Sequence, residues 1–499
     1  MRMRNWLGIA ALAVAAGVGA VAVWHGHVRT AVRPTASNVI LITIDTQRPD
    51  RLSCYGYPKH QTPNFDRLAR DGVLFENAFC DVTWTTPSMT SVMTGRYATV
   101  HHVRSNFDRL PESATTLAEI AQAHGIHTAA IIASYPLASI YGLNQGFALY
   151  DESFSKPLIG EGLGATPEDL PAPVTPGADL FGDSRQPMLW YLLRKSTHDA
   201  YRPDDQVSDR AIRWLREERK EPFFLWVHYL GPHNKPPAPG EPPTAMTEQS
   251  QRYDRDVVST DRQLGRFLDA IDELKLTDHT AVILHADHGE DLLEHDFIGH
   301  GYDLYDVTQR VPLLMRLPGQ LPSGRRVTEL VHNLDLFPTI LALLGIDANL
   351  PTDGASLLPL ATGANTERNQ ETYVETYLSA TYMFAKRLES EKHRLGIRRL
   401  GIRTPDWKFI INDPYPILDR DNPEPVDETL RKQYYSEELY DERADPAEKS
   451  NVIDAHSDLA AKFRARVQHY QEMAAGKSEQ VQLDPAARER LRSLGYLEK

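Results

Sequence analysis

Cysteine is scarce in this sequence: Cys54 and Cys80 are the only two among 499 residues. Two thiols are too few for a disulfide scaffold and too few for a zinc site built on cysteine ligands. They leave room for one disulfide in an oxidising compartment, and the sequence does not decide whether it forms. Disulfide-rich domains and cysteine-ligated zinc proteins are therefore excluded.

Positive charge is also in short supply. The chain has 54 lysines and arginines against 68 aspartates and glutamates, which gives a net charge of −14. Four arginines precede the first acidic residue, Asp45, so the rest of the chain carries −18. Such an acidic body repels phosphate backbones, and we expect no nucleic-acid partner.

One long uncharged apolar run is present, over residues 6–24, and Arg2 and Arg4 precede it. The overall composition, 41% apolar and 24% charged, excludes a polytopic membrane protein, a coiled coil and a disordered chain. The run is just long enough for a helix that crosses a bilayer, and no clean small-x-small cleavage site follows it. Residues 1–33 are therefore predicted to be an uncleaved signal-anchor, with a cleaved signal peptide as the alternative. In either case the body is exported. It is anchored by one N-terminal helix and faces the periplasm or the exterior, or it is secreted.

Short β-branched apolar runs alternate with helix-like stretches along the chain. Residues 38–44 (NVILITI) show no clean polar alternation, which is typical of a strand covered on both faces. Further runs of this kind lie at 127–134, 223–228, 280–286 and 311–317. Helix-like stretches lie at 64–70, 87–94, 114–124, 206–219 and 253–274. This alternation predicts an α/β fold with a parallel sheet.

The pattern changes near residue 371. Residues 407–411 (WKFII) predict a strand of a smaller second domain, and residues 454–472 predict a closing amphipathic helix. We therefore divide the chain into the N-terminal segment 1–33, a catalytic domain 34–365 and a C-terminal subdomain 366–499.

Polar residues with chemical potential follow the predicted strands, and in an open parallel sheet ligands bind at the carboxyl ends of the strands. Asp45 comes directly after the first strand. In the segment 83–91 (TWTTPSMTS), Pro87 suits the first position of a helix and Thr86 suits its N-cap. Thr85 would then lie just outside a helix N-terminus, where phosphate or sulfate binds. A hydroxyl there could attack such an anion, although each residue could also be a simple cap.

The window 285–301 (HADHGEDLLEHDFIGHG) holds four histidines and five carboxylates. Asp287 and His288 follow a predicted strand at once, and this pair suits a divalent cation. His300 lies between two glycines on a loop that can approach a charged substrate. The other carboxylates of the window are assigned to a solvated loop: Glu290, Asp291, Glu294 and Asp296.

A second pair of histidines flanks the end of the strand 223–228. His233 lies in the proline-rich loop HNKPP that follows, and His228 ends the strand itself. Either can be a structural histidine. We favour a functional role for His233 and a structural role for His228.

Taken together, these motifs resemble the sulfatase family of the alkaline phosphatase superfamily over about residues 37–350. The matching segments are NVILITIDTQRPDRLSCYGY, TPNFDRLARDGVLFENAF, TTPSMTSVMTGRY, FLWVHYLGPHNKPP and HADHGEDLLEHDFIGHGYDLYD. The resemblance implies a doubly wound mixed sheet and a smaller C-terminal α/β subdomain around a four-stranded antiparallel sheet. It also implies that Asp45, Asp287 and His288 bind a metal, with Thr46 where a second ligand aspartate usually stands.

The departures from the family pattern decide the expected chemistry. The residue that the family oxidises to formylglycine is Cys or Ser, and here it is Thr85. Oxidation of a secondary alcohol cannot give an aldehyde, so formylglycine is excluded. Met89 replaces the arginine of that motif, and His300 replaces a lysine. The pattern is similar to superfamily members that use an unmodified threonine against phosphorus.

The expected function is a metal-dependent hydrolase or transferase of phosphate esters, either mono- or diesters. Asp45, Asp287, His288 and Thr85 would bind one divalent ion, for which Mg²⁺ or Mn²⁺ suits the donors and Ca²⁺ or Zn²⁺ is tolerated. Thr85 would be the nucleophile, and two histidines, His233 and His300, would act on substrate oxygens. The alternatives are a sulfate ester hydrolase that uses the unmodified threonine and a catalytically silent exported binding protein. A membrane anchor would favour a lipid or an envelope glycan as the substrate.

Overall fold

A computed structural model describes residues 34–106, 108–155, 201–233, 246–295, 298–347, 350–364, 371–378, 395–416, 428–473, 479–480 and 484–486. Among these residues, no helix combines the length and the apolar character that a membrane crossing requires. The predicted signal-anchor at residues 1–33 lies outside the described residues, so its role and the export of the chain stay predictions.

The strands are, in chain order, β1 (Asn38–Ile44), β2 (Val73–Phe79), β3 (Asp108–Arg109), β4 (His127–Ile131), β5 (Leu149–Asp151), β6 (Phe223–Tyr229), β7 (Thr280–His285), β8 (Asp291–Leu292), β9 (Ile298–Gly299), β10 (Arg310–Arg316), β11 (Arg325–His332), β12 (Thr372–Leu378), β13 (Leu395–Arg403), β14 (Trp407–Pro416), β15 (Ser436–Asp441) and β16 (Glu479–Gln480). The α-helices are α1 (Pro63–Asp71), α2 (Thr85–Thr94), α3 (Ala98–His101), α4 (Leu117–Ala123), α5 (Asp204–Arg213), α6 (Met246–Glu273), α7 (Asp306–Gln309), α8 (Leu336–Leu343), α9 (Leu358–Thr362), α10 (Glu428–Tyr434) and α11 (Ser457–Glu472).

An eight-stranded sheet forms the body of the protein, in the order β11–β2–β10–β7–β1–β6–β4–β5. Strands β7, β1, β6, β4 and β5 run parallel, as does the pair β11 and β2. Strand β10 is antiparallel to both of its neighbours. The α/β fold is therefore confirmed, and the sheet is mixed, as the family resemblance implied, and not purely parallel.

The central strand β1 is apolar throughout because both of its faces are buried. Ile40, Ile42 and Ile44 pack into one hydrophobic core, and Val39 and Leu41 pack into another on the opposite face of the sheet. Alternate side chains of a strand point to opposite faces, so a doubly covered strand shows no polar alternation.

Each predicted strand and helix has a counterpart, and the largest shift in a boundary is at the start of α6, which begins at Met246. Strand β2 has no predicted counterpart. Its sequence VLFENAF places Glu76 and Asn77 in half-buried positions within an otherwise buried strand, so the apolar run is interrupted. Cys54 and Cys80 are free thiols.

A smaller antiparallel sheet, in the order β12–β13–β14–β15, follows in the chain. Helix α11 covers this sheet: Phe463, Val467 and Tyr470 share a core with Leu400 and Phe409. The predicted C-terminal subdomain around a four-stranded antiparallel sheet is thus present. The described residues from Thr35 onward belong to one compact unit, and the predicted boundary between 365 and 366 stays a prediction.

A buried ionic network joins the small sheet to the loop before β10. Lys408 of β14 is fully buried, and its Nζ contacts Asp306 and lies 2.8 Å from Glu448. Arg403 of β13 lies 3.1 Å from Asp306 and 3.2 Å from Glu442. Burial alone would lower the pKa of Lys408, but the nearby carboxylates raise it. The carboxylates of this cluster therefore have side-chain counter-ions and need no metal.

Replacement of Lys408 should destabilise the protein strongly, because it leaves buried carboxylates without one of their cations. We expect Lys408→Met, which keeps most of the side-chain volume, to reduce the free energy of unfolding by about 3–5 kcal/mol in urea titrations. Lys462 is exposed on α11, and Lys462→Met should change it by less than about 0.5 kcal/mol. Equal effects of the two substitutions would contradict a role for the network in stability.

Candidate active site

Two buried carboxylates meet at the carboxyl end of the central strands. Asp45 follows β1 and Asp287 follows β7, and these strands are parallel neighbours. Both side chains are fully buried. The N–H of Thr46 donates to Asp287 Oδ1 at 3.2 Å, in a turn where Thr46 has a positive φ of 57°. The sequence prediction that these aspartates lie together agrees with this geometry.

The turn after β7 fixes the orientation of His288. Gly289 is required there, because a Cβ at this position would lie 2.2 Å from the carbonyl oxygen of Val307. His288 Nδ1 lies 2.9 Å from the carbonyl oxygen of Gly289, and a carbonyl can only accept. The proton is therefore on Nδ1, and Nε2 presents a lone pair. This Nε2 lies 3.5 Å from Asp287 Oδ2, 3.8 Å from Asp45 Oδ1 and 3.3 Å from Thr85 Oγ1.

Thr85 is the first residue of helix α2 and is fully buried. The prediction that Thr86 caps this helix, with Thr85 outside it, is wrong. Trp84 occupies the capping position with extended backbone, and Ser88 N–H donates to the carbonyl of Trp84 at 3.0 Å, which closes the first turn. Pro87 is tolerated in this turn because its missing N–H would have no partner within the helix.

Residues 86–88 of α2 offer no free N–H group to an anion. The N–H of Thr86 donates to Asn106 Oδ1 at 2.8 Å. Pro87 has no N–H, and that of Ser88 is used within the helix. The expectation that phosphate or sulfate binds at this helix N-terminus therefore gains no support from these three positions.

Hydrogen bonds clamp α2 against the turn that carries Asp287. Ser88 Oγ donates to the carbonyl oxygen of Asp287 at 2.6 Å. Asn333 Nδ2 donates to the same carbonyl oxygen at 3.2 Å and lies 3.2 Å from Ser88 Oγ. This clamp holds Thr85 at a fixed distance from His288.

The two remaining predicted histidines join the same cluster. The ring of His300 lies 4.3 Å from that of His288 and 5.1 Å from that of His233, measured between centroids. Both His233 and His300 are buried. All six predicted site residues therefore lie in one buried group.

Two neighbours position the loop that carries His300. Gly301 has a positive φ of 80°, and a Cβ there would lie 2.3 Å from the indole of Trp84. The hydroxyl of Thr376, on strand β12 of the small sheet, donates to the carbonyl oxygen of Gly301 at 2.8 Å. The small sheet therefore contributes directly to the geometry of the site.

Glu290 and Asp291 do not belong to a solvated loop, contrary to the prediction. Both are buried. The carboxylate of Glu290 lies 3.3 Å from His300 Nδ1, and burial raises the pKa of Glu290 to about 8 and lowers that of His300 to about 3. Asp291 accepts the backbone N–H of Leu293 at 2.7 Å. The sequence feature that could have placed Glu290 in the site is its position directly after the turn that carries Asp287 and His288.

Glu294 is partly exposed and pairs with Arg48, and Asp296 lies outside the described residues.

His228, for which a structural role was favoured, also lies in this group. It is fully buried at the end of β6, and its Nε2 lies 3.9 Å from Asp45 Oδ2. Ligand atoms of Asp45, His228 and Asp287 all lie within 4.8 Å of one another. Burial lowers the pKa of His228 to about 3, which keeps the imidazole neutral, the form that binds metals.

The residues of this cluster fit a divalent cation. Asp287 Oδ2, Thr46 Oγ1 and both ring nitrogens of His228 make no hydrogen bond to another residue in the described part of the chain. Buried polar atoms without a partner are costly, and a bound cation removes that cost. Carboxylate oxygens together with imidazole nitrogens suit several divalent ions.

Two family models match the chain. The sulfatase model matches residues 37–346, and a model described as N-sulphoglucosamine sulphohydrolase, C-terminal, matches residues 294–422. Human N-acetylgalactosamine-6-sulfatase is 27% identical over 65% of this chain and 66% of its own length. N-acetylglucosamine-6-O-sulfatase from Bacteroides thetaiotaomicron is 23% identical over 83% of this chain and 82% of its own length.

Solved structures share the fold. Phosphonate monoester hydrolase of Agrobacterium radiobacter superposes with a TM-score of 0.65 and 21% identity, over 88% of this chain and 96% of that chain. A protein solved in complex with its substrate D-glucosamine-2-N,6-O-disulfate superposes with a TM-score of 0.64 and 20% identity, over 88% and 98%. The sulfatase model covers more than half of the 499 residues, and the chain therefore belongs to the sulfatase family of ester hydrolases.

Proposed function

We propose that this chain is a metal-dependent hydrolase or transferase that acts on phosphate esters through Thr85. The observation that carries the proposal is the 3.3 Å contact between Thr85 Oγ1 and His288 Nε2. That nitrogen also faces the carboxylates of Asp45 and Asp287. A hydroxyl at the edge of such a cluster is placed to become a nucleophile.

Asp45, Asp287, His288 and Thr85 would hold one divalent ion. When bound, the ion lowers the pKa of a coordinated hydroxyl and stabilises negative charge on substrate oxygens. The clamp from Ser88 and Asn333 keeps Thr85 and the ligand turn in register, so little reorganisation is needed before attack.

The reaction is a two-step displacement. In the first step Thr85 Oγ releases its proton to solvent and bonds to phosphorus. The bond from phosphorus to the leaving oxygen breaks, and that oxygen takes a proton from the imidazolium of His233, while the neutral imidazole of His300 contacts a non-bridging oxygen. In the second step a water oxygen bonds to phosphorus, the bond to Thr85 Oγ breaks, the histidine regains its proton from the water and Thr85 is reprotonated. An alcohol in place of water gives transfer.

Charge favours a singly charged ester as substrate. The family arginine is replaced by Met89, which is packed in the hydrophobic core. The family lysine is replaced by His300, and burial favours its neutral form. A phosphate monoester dianion carries one more negative charge than a phosphodiester, so we expect phosphodiesters to react faster. An envelope lipid or glycan of an exported enzyme remains the proposed substrate class.

The second candidate is hydrolysis of a sulfate ester by the unmodified threonine. The names of two relatives favour it, because both are 6-sulfatases of N-acetylated amino sugars. Sulfate esters share the tetrahedral geometry of phosphate esters and carry a single negative charge. The same site could therefore accept an amino-sugar sulfate.

Removal of the Thr85 hydroxyl should abolish turnover. We expect Thr85→Val to lower kcat roughly 10³-fold or more, because the isosteric side chain cannot bond to phosphorus, while metal binding through Asp45, Asp287 and His288 persists. The measurement is hydrolysis of the p-nitrophenyl phosphomonoester, phosphodiester and sulfate with a panel of divalent ions.

The matched control is Thr90→Val on the same helix, since the Thr90 hydroxyl donates to the backbone of Thr86 and does not face the cluster. It should retain turnover. Activity of Thr85→Val above a tenth of the parent value contradicts the nucleophile assignment. Parent activity on the sulfate alone favours the second candidate, and inactivity on all three esters favours the silent binding protein.

Loss of the His300 imidazole should slow the reaction without unfolding the site. We expect His300→Ala to lower kcat roughly 10²–10³-fold, the range for an acid–base or oxyanion-stabilising group. His279 is partly exposed before β7 and lies 3.3 Å from Glu221, away from the cluster, and His279→Ala should leave kcat unchanged. If both variants keep the parent kcat, His300 has no part in the chemistry.

A further inference from the structure

His228 is an unusual buried histidine. It sits at the end of β6 with no exposed surface, and neither ring nitrogen makes a hydrogen bond to another residue that the structure describes. A buried imidazole without any partner costs free energy relative to one that is hydrogen-bonded. A ligand that contacts the imidazole when the site is loaded would remove this cost.

His285 gives the contrasting case on the other side of β1. Both His228 and His285 lie beside Thr43 in the sheet, one on β6 and one on β7. The hydroxyl of Thr43 lies 2.9 Å from His285 Nε2 and accepts the indole N–H of Trp226 at 3.0 Å. His285 Nδ1 lies 2.9 Å from the carbonyl oxygen of Ala286. Both ring nitrogens of His285 thus have hydrogen-bond partners in neighbouring residues, whereas those of His228 have none in another described residue.

The imidazole ring of His228 faces the carboxylate of Asp45. His228 Nε2 lies 3.9 Å from Asp45 Oδ2, while His288 Nε2 lies 3.8 Å from the other oxygen of the same carboxylate. Two ligand atoms each about 2.1 Å from one cation lie at most about 4.2 Å apart. Both distances fall inside that limit, and both exceed a hydrogen bond.

We propose that His228 is a ligand of the metal site, in addition to Asp45, Asp287 and His288. This inference rests on the metal site of the proposed function and deepens it. A second imidazole shifts the preference of the site, because imidazole suits Zn²⁺ and related transition ions, whereas Ca²⁺ and Mg²⁺ prefer oxygen. The site is therefore selective for Zn²⁺ over Ca²⁺ and Mg²⁺.

The test measures metal binding directly. The full chain is stripped with a chelator, and binding of Zn²⁺, Ca²⁺ and Mg²⁺ is measured by equilibrium dialysis with elemental analysis and by the shift in thermal midpoint. We expect His228→Leu to weaken Zn²⁺ binding roughly 10- to 100-fold or more and to reduce the zinc-induced shift. The metal-free variant should be at least as stable as the parent, since no hydrogen bond is lost. His285→Leu should show the reverse: lower metal-free stability and Zn²⁺ affinity within a few-fold of the parent.

X-ray absorption of the zinc-loaded parent gives an independent measure that needs no variant. Two imidazole ligands are expected, and a single one overturns the proposal. Equal Zn²⁺ affinity of the parent and His228→Leu overturns it as well and leaves the proposed function intact. A parent chain that binds none of the three ions overturns both the ligand role of His228 and the metal site of the proposed function.

Discussion

The parallel register of β1 and β7 pairs Thr43 with His285, and this register places Asp45 and Asp287 at the same level of the sheet edge. Two buried carboxylates this close oppose each other's ionisation, and burial raises the pKa of Asp287. A bound cation reverses this effect, because it stabilises both charged forms. The helix clamp, the histidines and the turn at Gly289 are arranged around these two side chains, so the parallel register is the constraint on which the site depends.

The small antiparallel sheet is part of the same arrangement. Thr376 of β12 holds the carbonyl of Gly301, next to His300, and Lys408 of β14 fixes Asp306 at the start of α7. Both contacts act on the stretch that runs from the His300 loop to β10. The large sheet thus supplies the proposed ligands and the proposed nucleophile, and the small sheet fixes the loop that carries His300.

The six residues predicted for the site lie together because each is at or near a strand end or in a loop rich in histidine or hydroxyl groups, and strand ends meet at one edge of a parallel sheet. The sequence pattern did not predict the residue at which α2 begins. The N–H of Thr86 donates to Asn106, and this contact between distant loops cannot be seen in a local pattern. The proximity of His228 to Asp45 depends on strand register, which no local pattern encodes. The burial of Glu290 depends on the fold of the loop around His300. The family resemblance implied a mixed sheet, but neither it nor the apolar run of β10 indicated that β10 is the antiparallel strand.

Few N–H groups at the start of α2 are free to stabilise negative charge in the proposed displacement reaction. An open helix N-terminus offers several N–H donors to an oxyanion, but here Thr86 donates to Asn106 and Pro87 has none. Met89 adds no charge from the same helix, since it is packed in the core. In the proposed reaction, charge that develops on phosphoryl oxygens would be met mainly by the cation and by the imidazoles of His233 and His300. In the proposed reaction, the threonine would therefore depend on the cation twice, once for its own deprotonation and once for the charge it creates on the substrate.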